Sequence, residues 1–496
     1  MQQSNDSIAM KTDILVIGSG VSGLFFAVKT ARKRPDLTIT IMTKSKADNS
    51  NTRLAQGGIA VVTNNLKESF ERHIQDTIKA GGGAGDKDVI EMVVYQAPER
   101  LQELLEFEVS FDKNSSGDWD LGLEGGHTEH RILHHKDISG LEIQQKMLLQ
   151  LQRFPNIRLI ENTPVLDLYA HQNQCVGAIF YDKASQTTQF IAAKTVLLSS
   201  GGSGQLFKHT TNPNIATADG VAMAHRLGAA VKDMAYIQFH PTALFEGDRN
   251  PYFLISEAVR GFGAYIVNAD QRRFVFDYDN RGELATRDVV SKAIGSEMQK
   301  SGAKNVFIDC RHLDFESFYQ HFPTITDYCK NAGIDIRKDL IPIVPVAHYQ
   351  CGGIQVDKDA QTSVKNLFAV GECACTGLHG KNRLASNSLL EALVFAHQSS
   401  EYICKHIDEM TVPHELAVNL YPITEEESTV VQELKNELKT SMTSLFISNI
   451  DAELIKNKLQ ELKKQAQILS AKSMSLGLKE LQNMLDVAIL IAEDKH

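Results

Sequence analysis

The chain has 496 residues, of which 43% are hydrophobic and 23% charged, so it can bury a large core and divide into two or three domains. Its formal net charge of −10, from 61 acidic and 51 basic residues, gives neither the basic footprint of a nucleic-acid partner nor a polybasic membrane anchor. No stretch reaches the roughly 18 consecutive apolar residues of a membrane span, and the first residues lack the basic-then-apolar pattern of a secretory signal, so a cytoplasmic protein is expected. The 7 cysteines are scattered without a CxxC pair, which fits reduced thiols. The CxC of Cys373 and Cys375 reads as buried small residues rather than as a metal site.

In chain order, residues 13–17 (DILVI) form an apolar run that stops at glycines and gives way to helical spacing through Leu24, Ala27, Val28 and Ala31. A second β-rich run, TITIM, covers 38–42. This strand, glycine turn, helix, strand unit is how a doubly wound α/β sheet begins. Residues 157–198 read as five short strands (IRLIE, VLDLY, VGAIFY, QFIAA, TVLLSS), a meander feeding back into that sheet. Between about 238 and 347 the pattern turns to mixed helix and strand, which suggests an insertion. NLFAVGE at 366–372 and a helix from about 387 to 405 resume the first domain. From about 426 onward, segments such as ELIKNKLQELKKQ predict a C-terminal helical bundle.

Gly18, Gly20 and Gly23 make GxGxxG directly after the first strand and at the opening of a helix. A tight turn, close approach to a pyrophosphate and helix-to-strand packing each exclude a side chain. The acid expected about twenty residues on to grip a ribose is missing, and Thr43 and Lys44 end the second strand, which argues against a plain NAD site. Further glycine punctuation lies at AQGG (55–58), SSGGSGQ (199–205) and GECACTGLHG (371–380).

These blocks, with NTRLAQGGIA, EGGHTEHRILH, QFHPTAL, RGELATRDVV, PVAHYQCGGI and GLHGKNRLASNSLLEALV, resemble the succinate dehydrogenase and fumarate reductase flavoprotein family, and within it most of all the L-aspartate oxidase branch. The resemblance covers about residues 10–405 and becomes loose beyond. It implies an FAD-binding, Rossmann-like (doubly wound) domain over 1–237 and 348–415, an inserted α+β capping domain over 238–347, and a C-terminal helical domain over 416–496.

Carried over by position, the family's FAD contacts fall on Gly18, Ser19, Gly20, Val21, Ser22 and Gly23, and on Lys44. They continue on Asn51, Thr52, Arg53, Leu54, Ala55, Gln56, Gly57 and Gly58, and end on Asp219, Glu372, Ser388 and Leu389. Backbone donors at a helix start can hold a pyrophosphate, and an acid after a strand can accept from ribityl hydroxyls. The respiratory members attach FAD through a histidine that aligns with Asn51, and an amide cannot make that bond, so non-covalent FAD is expected.

For the substrate, the resemblance brings together His240, His348 and Arg383. A dicarboxylate needs such groups because each carboxylate exchanges its water for charge-assisted hydrogen bonds, which arginine supplies as a planar fork. Ser256 and Glu257 fall at the other carboxylate, with serine where the family usually has threonine. Arg287 matches the family's proton-transfer arginine. Because guanidinium is a poor acid at its ordinary pKa above about 12, a relay is expected from Glu283, four residues earlier and within helical reach. Glu124 matches the acid that meets the α-ammonium of aspartate, although on the residues alone it reads equally well as a solvated loop acid.

The four histidines His127, His130, His134 and His135 could supply a zinc site by spacing, but the same block belongs to the branch's signature and no metal is expected. The implied reaction is FAD-dependent oxidation of L-aspartate to iminoaspartate, with oxygen or fumarate as acceptor and a quinolinate synthase downstream. The other readings are a soluble fumarate reductase or succinate dehydrogenase flavoprotein, and a catalytically silent flavin-binding protein. Retention of Arg287, Arg383, His240 and His348 argues against the last.

Overall fold

The computed structural model describes residues 8–64, 66–247, 249–413, 415–447 and 451–495. The apolar run near the N-terminus becomes the strand Ile8–Ile17, which lies at the centre of a sheet of seven strands among the described residues. It pairs in parallel with Ile39–Met42 on one side and with Thr187–Leu198 on the other, and Leu367–Ala369 adds in parallel beyond. Ile14 and Val16 pack into one hydrophobic cluster, with the helices Val21–Lys33 and Asn387–His406. Leu15 and Ile17 face the opposite way, into a second cluster. Because both faces are covered, the strand reads as a continuous apolar run rather than an alternating one.

The registers Ile17↔Met42, Ile17↔Leu198 and Ala369↔Leu198 bring the carboxyl ends of four strands level. In an open α/β sheet that edge is where ligands bind. Gly18 turns there at φ +112, and a Cβ on it would lie 2.2 Å from the Ser199 carbonyl oxygen. Any other residue would push the strands Ile8–Ile17 and Thr187–Leu198 apart.

The meander is corrected in two ways. Ile157–Ile160 does not join it; it pairs in parallel with Ile39–Met42 at the far edge of the sheet. QFIAA and TVLLSS are one strand, Thr187–Leu198, because no glycine, proline or turn residue separates them and the register with Ile8–Ile17 runs through. The meander is therefore Val165–His171, Gln174–Asp182 and Thr187–Leu198.

The capping layer is a four-stranded antiparallel sheet in the order Ile237–Leu244, Ile341–Gln350, Val306–Asp309 and Tyr265–Val267, with its own core around Phe274, Ile294, Phe318 and Ile341. The chain enters along the first of these strands and leaves along the second, and the two pair with each other, His240 opposite Val346. That pairing brings two distant sequence segments to one edge of the main sheet.

The C-terminal helices are Thr429–Ile447, Ala452–Ser470 and Leu476–Asp494. Asp451 and Ser475 cap the second and third by accepting from the backbone N–H groups of Glu453 and Leu478. Their apolar stripes, among them Leu434, Leu438, Leu459, Leu462, Leu481 and Leu485, complete the second cluster against Leu15 and Met42. No helix among the described residues is long and apolar enough to cross a membrane.

Candidate active site

A cavity of about 410 Å³ opens between the carboxyl edge of the main sheet and the capping layer. Its charged end is assembled from six separate segments. His240 comes from the entering strand and His348 from the leaving strand, and their rings lie 4.9 Å apart. Ser256 caps the short helix Glu257–Gly261 by accepting from the Ala258 N–H. Arg287 opens the helix Arg287–Ser301, Arg383 precedes the helix Asn387–His406, and Glu124 belongs to the loop after the strand Leu121–Gly122. These six residues and Glu257 line the cavity.

Gln238 Oε1 accepts from Arg287 Nη1 at 2.9 Å and from Arg383 Nη2 at 3.1 Å, so one neutral acceptor holds two cations side by side. Arg287 Nε donates to Glu257 at 2.5 Å. Arg260, wholly buried, reaches the other oxygen of Glu257 at 2.7 Å. Burial pushes the Glu257 carboxyl up, but the charges of Arg260 and Arg287 outweigh it and hold the group below its ordinary value. Glu257 is therefore an anion shared by two guanidiniums.

Arg383 differs. Its Nη1 donates to the Ser388 hydroxyl at 2.9 Å, its Nε is buried without a partner, and it forms no ion pair among the described residues. Burial, then the charge of Arg287, bring its pKa down to about 10. Glu124 has the opposite sign and a similar situation. It is buried, accepts from the Ser386 hydroxyl at 2.5 Å, forms no ion pair among the described residues, and is pushed up by burial and by Glu257. The solvated-loop reading of Glu124 is thereby excluded.

Both histidines are held well below their usual pKa, His240 by burial and Arg287, and His348 by burial, Arg287 and Arg383. They are neutral imidazoles at neutral pH. The Thr242 N–H donates to His240 Nδ1 at 3.2 Å, which puts the ring proton on Nε2, an atom buried with no partner among the described residues.

One expected relay is corrected. Glu283 lies in a 3₁₀ turn, Gly282–Leu284, and Ala285 and Thr286 are extended before the helix starts at Arg287, so Glu283 and Arg287 do not share a helical face. Glu283 is outside the cavity and forms an ion pair with Arg273 at 2.8 Å. The partner of Arg287 is Glu257, thirty residues earlier. Glu283→Gln should accordingly lower the melting temperature, by a loss of about 1 kcal/mol, and change kcat/KM less than about threefold; a hundredfold kinetic loss would restore the relay.

At the other end of the cavity, the helix Val21–Lys33 begins at Gly20, which has no side chain to cap it; the Thr52 hydroxyl accepts from the Val21 N–H at 3.0 Å, and the following N–H groups of the first turn face the cavity end. Ser19, Ser22, Thr52, Leu54, Ala55, Gln56, Gly57 and Gly58 line the cavity there, as do Gly18, Gly20, Val21, Ser388 and Leu389. Asn51 donates to Glu372 at 2.7 Å, and burial pushes Glu372 up to about 7. Lys44 and Asp219 also line it, joined at 2.6 Å, with Glu480 of the last helix 3.1 Å from the Lys44 ammonium. Two predicted contacts fall outside. Gly23 packs beneath the turn, where a Cβ would lie 2.4 Å from Ser199 Oγ, and Arg53 is exposed and pairs with Asp48.

An FAD binding domain family matches residues 13–389. A chloroplastic L-aspartate oxidase 2-b of Nicotiana tabacum is 42% identical over 425 residues, covering 83% of this chain and 65% of that protein. The L-aspartate oxidase of Vibrio cholerae is 38% identical over 497 residues, covering 97% of this chain and 92% of the relative. The chain belongs to the L-aspartate oxidase family. The fold agrees: the FrdA subunit of E. coli quinol fumarate reductase superposes with a TM-score of 0.88 at 27% identity, over 98% of this chain and 88% of that one. The chain spans less than two thirds of the length of the tobacco relative.

FAD is the cofactor of this family of flavoproteins, and the residues present fit it. Asn51 Oδ1, Gln56 Oε1 and Ser200 Oγ are buried, lack partners among the described residues and line the cavity, and the first turn of the helix Val21–Lys33 offers backbone donors to a pyrophosphate. A Cβ on Gly202 would lie 2.3 Å from Glu372, so the SSGG turn must be bare for the acid to seat. The histidines of the segment EGGHTEHRILHHKD do not converge on one point. His127 bonds the Ala385 carbonyl and Arg131, while His134 and His135 flank Asp112. No cluster of three metal-ligating side chains is found among the described residues. Sequence reasoning missed Gln238, Arg260 and Tyr349. Gln238 stands two residues before His240 in a quoted block, but nothing in its type marks it as a bridge between arginines.

Proposed function

We propose that the protein is an L-aspartate oxidase that converts L-aspartate to iminoaspartate with oxygen or fumarate as acceptor. What carries the reading is a pair of unmatched buried charges in one cavity: an arginine without a carboxylate, Arg383, and a carboxylate without a cation, Glu124. An α-amino dicarboxylic acid complements both. FAD, when bound, supplies the two-electron oxidation. Arg383 and His348 hold one carboxylate, while the His240 Nε2–H and the Ser256 hydroxyl meet the other. Glu124 takes the ammonium. With both ends fixed, Cα is oriented for oxidation. In the reverse sense, Arg287 delivers a proton to an alkene carbon of fumarate, with the Glu257 carboxylate sharing its charge.

Aerobic turnover should therefore release hydrogen peroxide and, after hydrolysis of the imine, oxaloacetate and ammonium in equal amounts. Peroxide without ammonium would refute amine oxidation. The product suits a quinolinate synthase as the next enzyme, in the cytoplasm, where seven free buried cysteines would stay reduced. The domain division is proposed at 237/238, 347/348 and 415/416. FAD is proposed to be dissociable, because the Asn51 amide is no nucleophile and is engaged with Glu372. Acid precipitation should leave the flavin in the supernatant, and a pellet that stays yellow after washing would contradict this.

A further inference from the structure

Arg383 is a cation 5% exposed with no carboxylate beside it, and what lies against it instead is a ring. Its guanidinium carbon sits 4.3 Å from the centre of Tyr349. The phenol hydroxyl donates to Glu391 Oε2 at 3.1 Å, and the same oxygen is 2.9 Å from His379 Nε2. The Thr376 hydroxyl donates to Glu391 Oε1 at 2.5 Å. Glu391 is 1% exposed, does not line the cavity, and stands on the helix Asn387–His406. That helix also carries Ser388, which holds Arg383 Nη1. One helix therefore fixes the arginine from two directions, directly through Ser388 and at one remove through Glu391 and the ring.

An aromatic face stabilises a buried cation without using its N–H groups. A carboxylate in the same place would pair with the fork and would have to be displaced by every incoming substrate. A phenol that donates to a buried carboxylate gains electron density in its ring, so Glu391 strengthens the face that Tyr349 presents. We infer that Tyr349, polarised and anchored by Glu391, is a positioning residue that carries Arg383 on its ring and so leaves the guanidinium edge open to the substrate carboxylate. This rests on the proposed reading of Arg383 as the group that binds that carboxylate.

The test is made on FAD-loaded protein, with succinate binding read from the perturbation of the flavin absorbance and with kcat and KM for aspartate. Tyr349→Leu should weaken succinate and raise KM at least tenfold while kcat moves less than threefold. Tyr349→Phe keeps the ring and should recover most of the loss. Glu391→Gln should match Tyr349→Phe, and the double variant should be no worse than either, since both act through one hydroxyl. Should Tyr349→Leu fail to retain FAD, the Tyr349→Phe and Glu391→Gln cycle decides the matter alone. Normal succinate binding by Tyr349→Leu, or additive losses in the cycle, would overturn the inference. Arg383→Leu separates the two levels. If it binds succinate normally, the reading of the cavity falls; if it binds poorly while Tyr349→Leu binds well, only the role of Tyr349 falls.

Discussion

Replacing Arg383 with leucine should reduce kcat/KM for aspartate by at least a hundredfold while the protein still folds and binds FAD. The side chain is buried, its Nε lacks a partner, and its other contacts are the neutral Gln238 and Ser388. A substrate carboxylate brought into that space has left its water and depends on the guanidinium to replace it. Losing a fork donor from a desolvated carboxylate costs about 3 kcal/mol or more, which is the stated factor. Leucine keeps an apolar stem against Tyr349, and no ion pair among the described residues is broken, so stability should change little. Near-normal oxidation by Arg383→Leu would remove the proposed substrate orientation.

The second large effect is expected at Glu124, and it discriminates between substrates. Glu124→Gln keeps the shape and the hydrogen bond to Ser386 but removes the charge proposed to meet the ammonium. Aspartate oxidation should fall by two orders of magnitude or more, since a desolvated ammonium and carboxylate pair is worth several kcal/mol (about 3). Fumarate has no ammonium, so its reduction should stay within severalfold of normal. A pH signature accompanies this. Burial and the Glu257 carboxylate raise the pKa of Glu124 in the free enzyme, so the anion forms at a higher pH than for an ordinary glutamate. The kcat/KM for aspartate should therefore decline as pH falls through a value above the usual carboxylate range, and fumarate reduction should lack that acid limb. Equal losses in both activities would assign Glu124 to supporting the loop, where a Cβ on Gly57 would already lie 2.8 Å from its carboxylate.

The beginning of the fold was readable because local rules decide it. A strand buried on both faces, a turn requiring φ +112 at Gly18 and a helix opening on Gly20 each leave a mark in consecutive residues. The cavity was readable only through long motif blocks, since His240 and His348 meet only because two capping strands distant in sequence pair, and Arg383 joins them from the segment before the helix Asn387–His406. Spacing failed at Glu283, where the four-residue rule presumes a continuous helix and the chain is extended at Thr286. It failed for the strand Thr187–Leu198, which has no internal break to distinguish it from two shorter strands except its uninterrupted register with a neighbour. Arg53 illustrates the limit of carrying over a run: Thr52 and Leu54 line the cavity and the side chain between them faces solvent. Arg260 and Gln238 could not be found at all from sequence, because their importance lies in what they touch.

The central claim is that this cavity oxidises an amino dicarboxylic acid in preference to a plain one. Mixing the yellow protein with L-aspartate in the absence of oxygen, and separately with succinate, tests it without any assumption about the acceptor. Rapid bleaching of the flavin by aspartate, with succinate leaving the absorbance oxidised and merely shifted, is the predicted result. Bleaching by succinate with aspartate inert would contradict it and make the protein a succinate or fumarate enzyme.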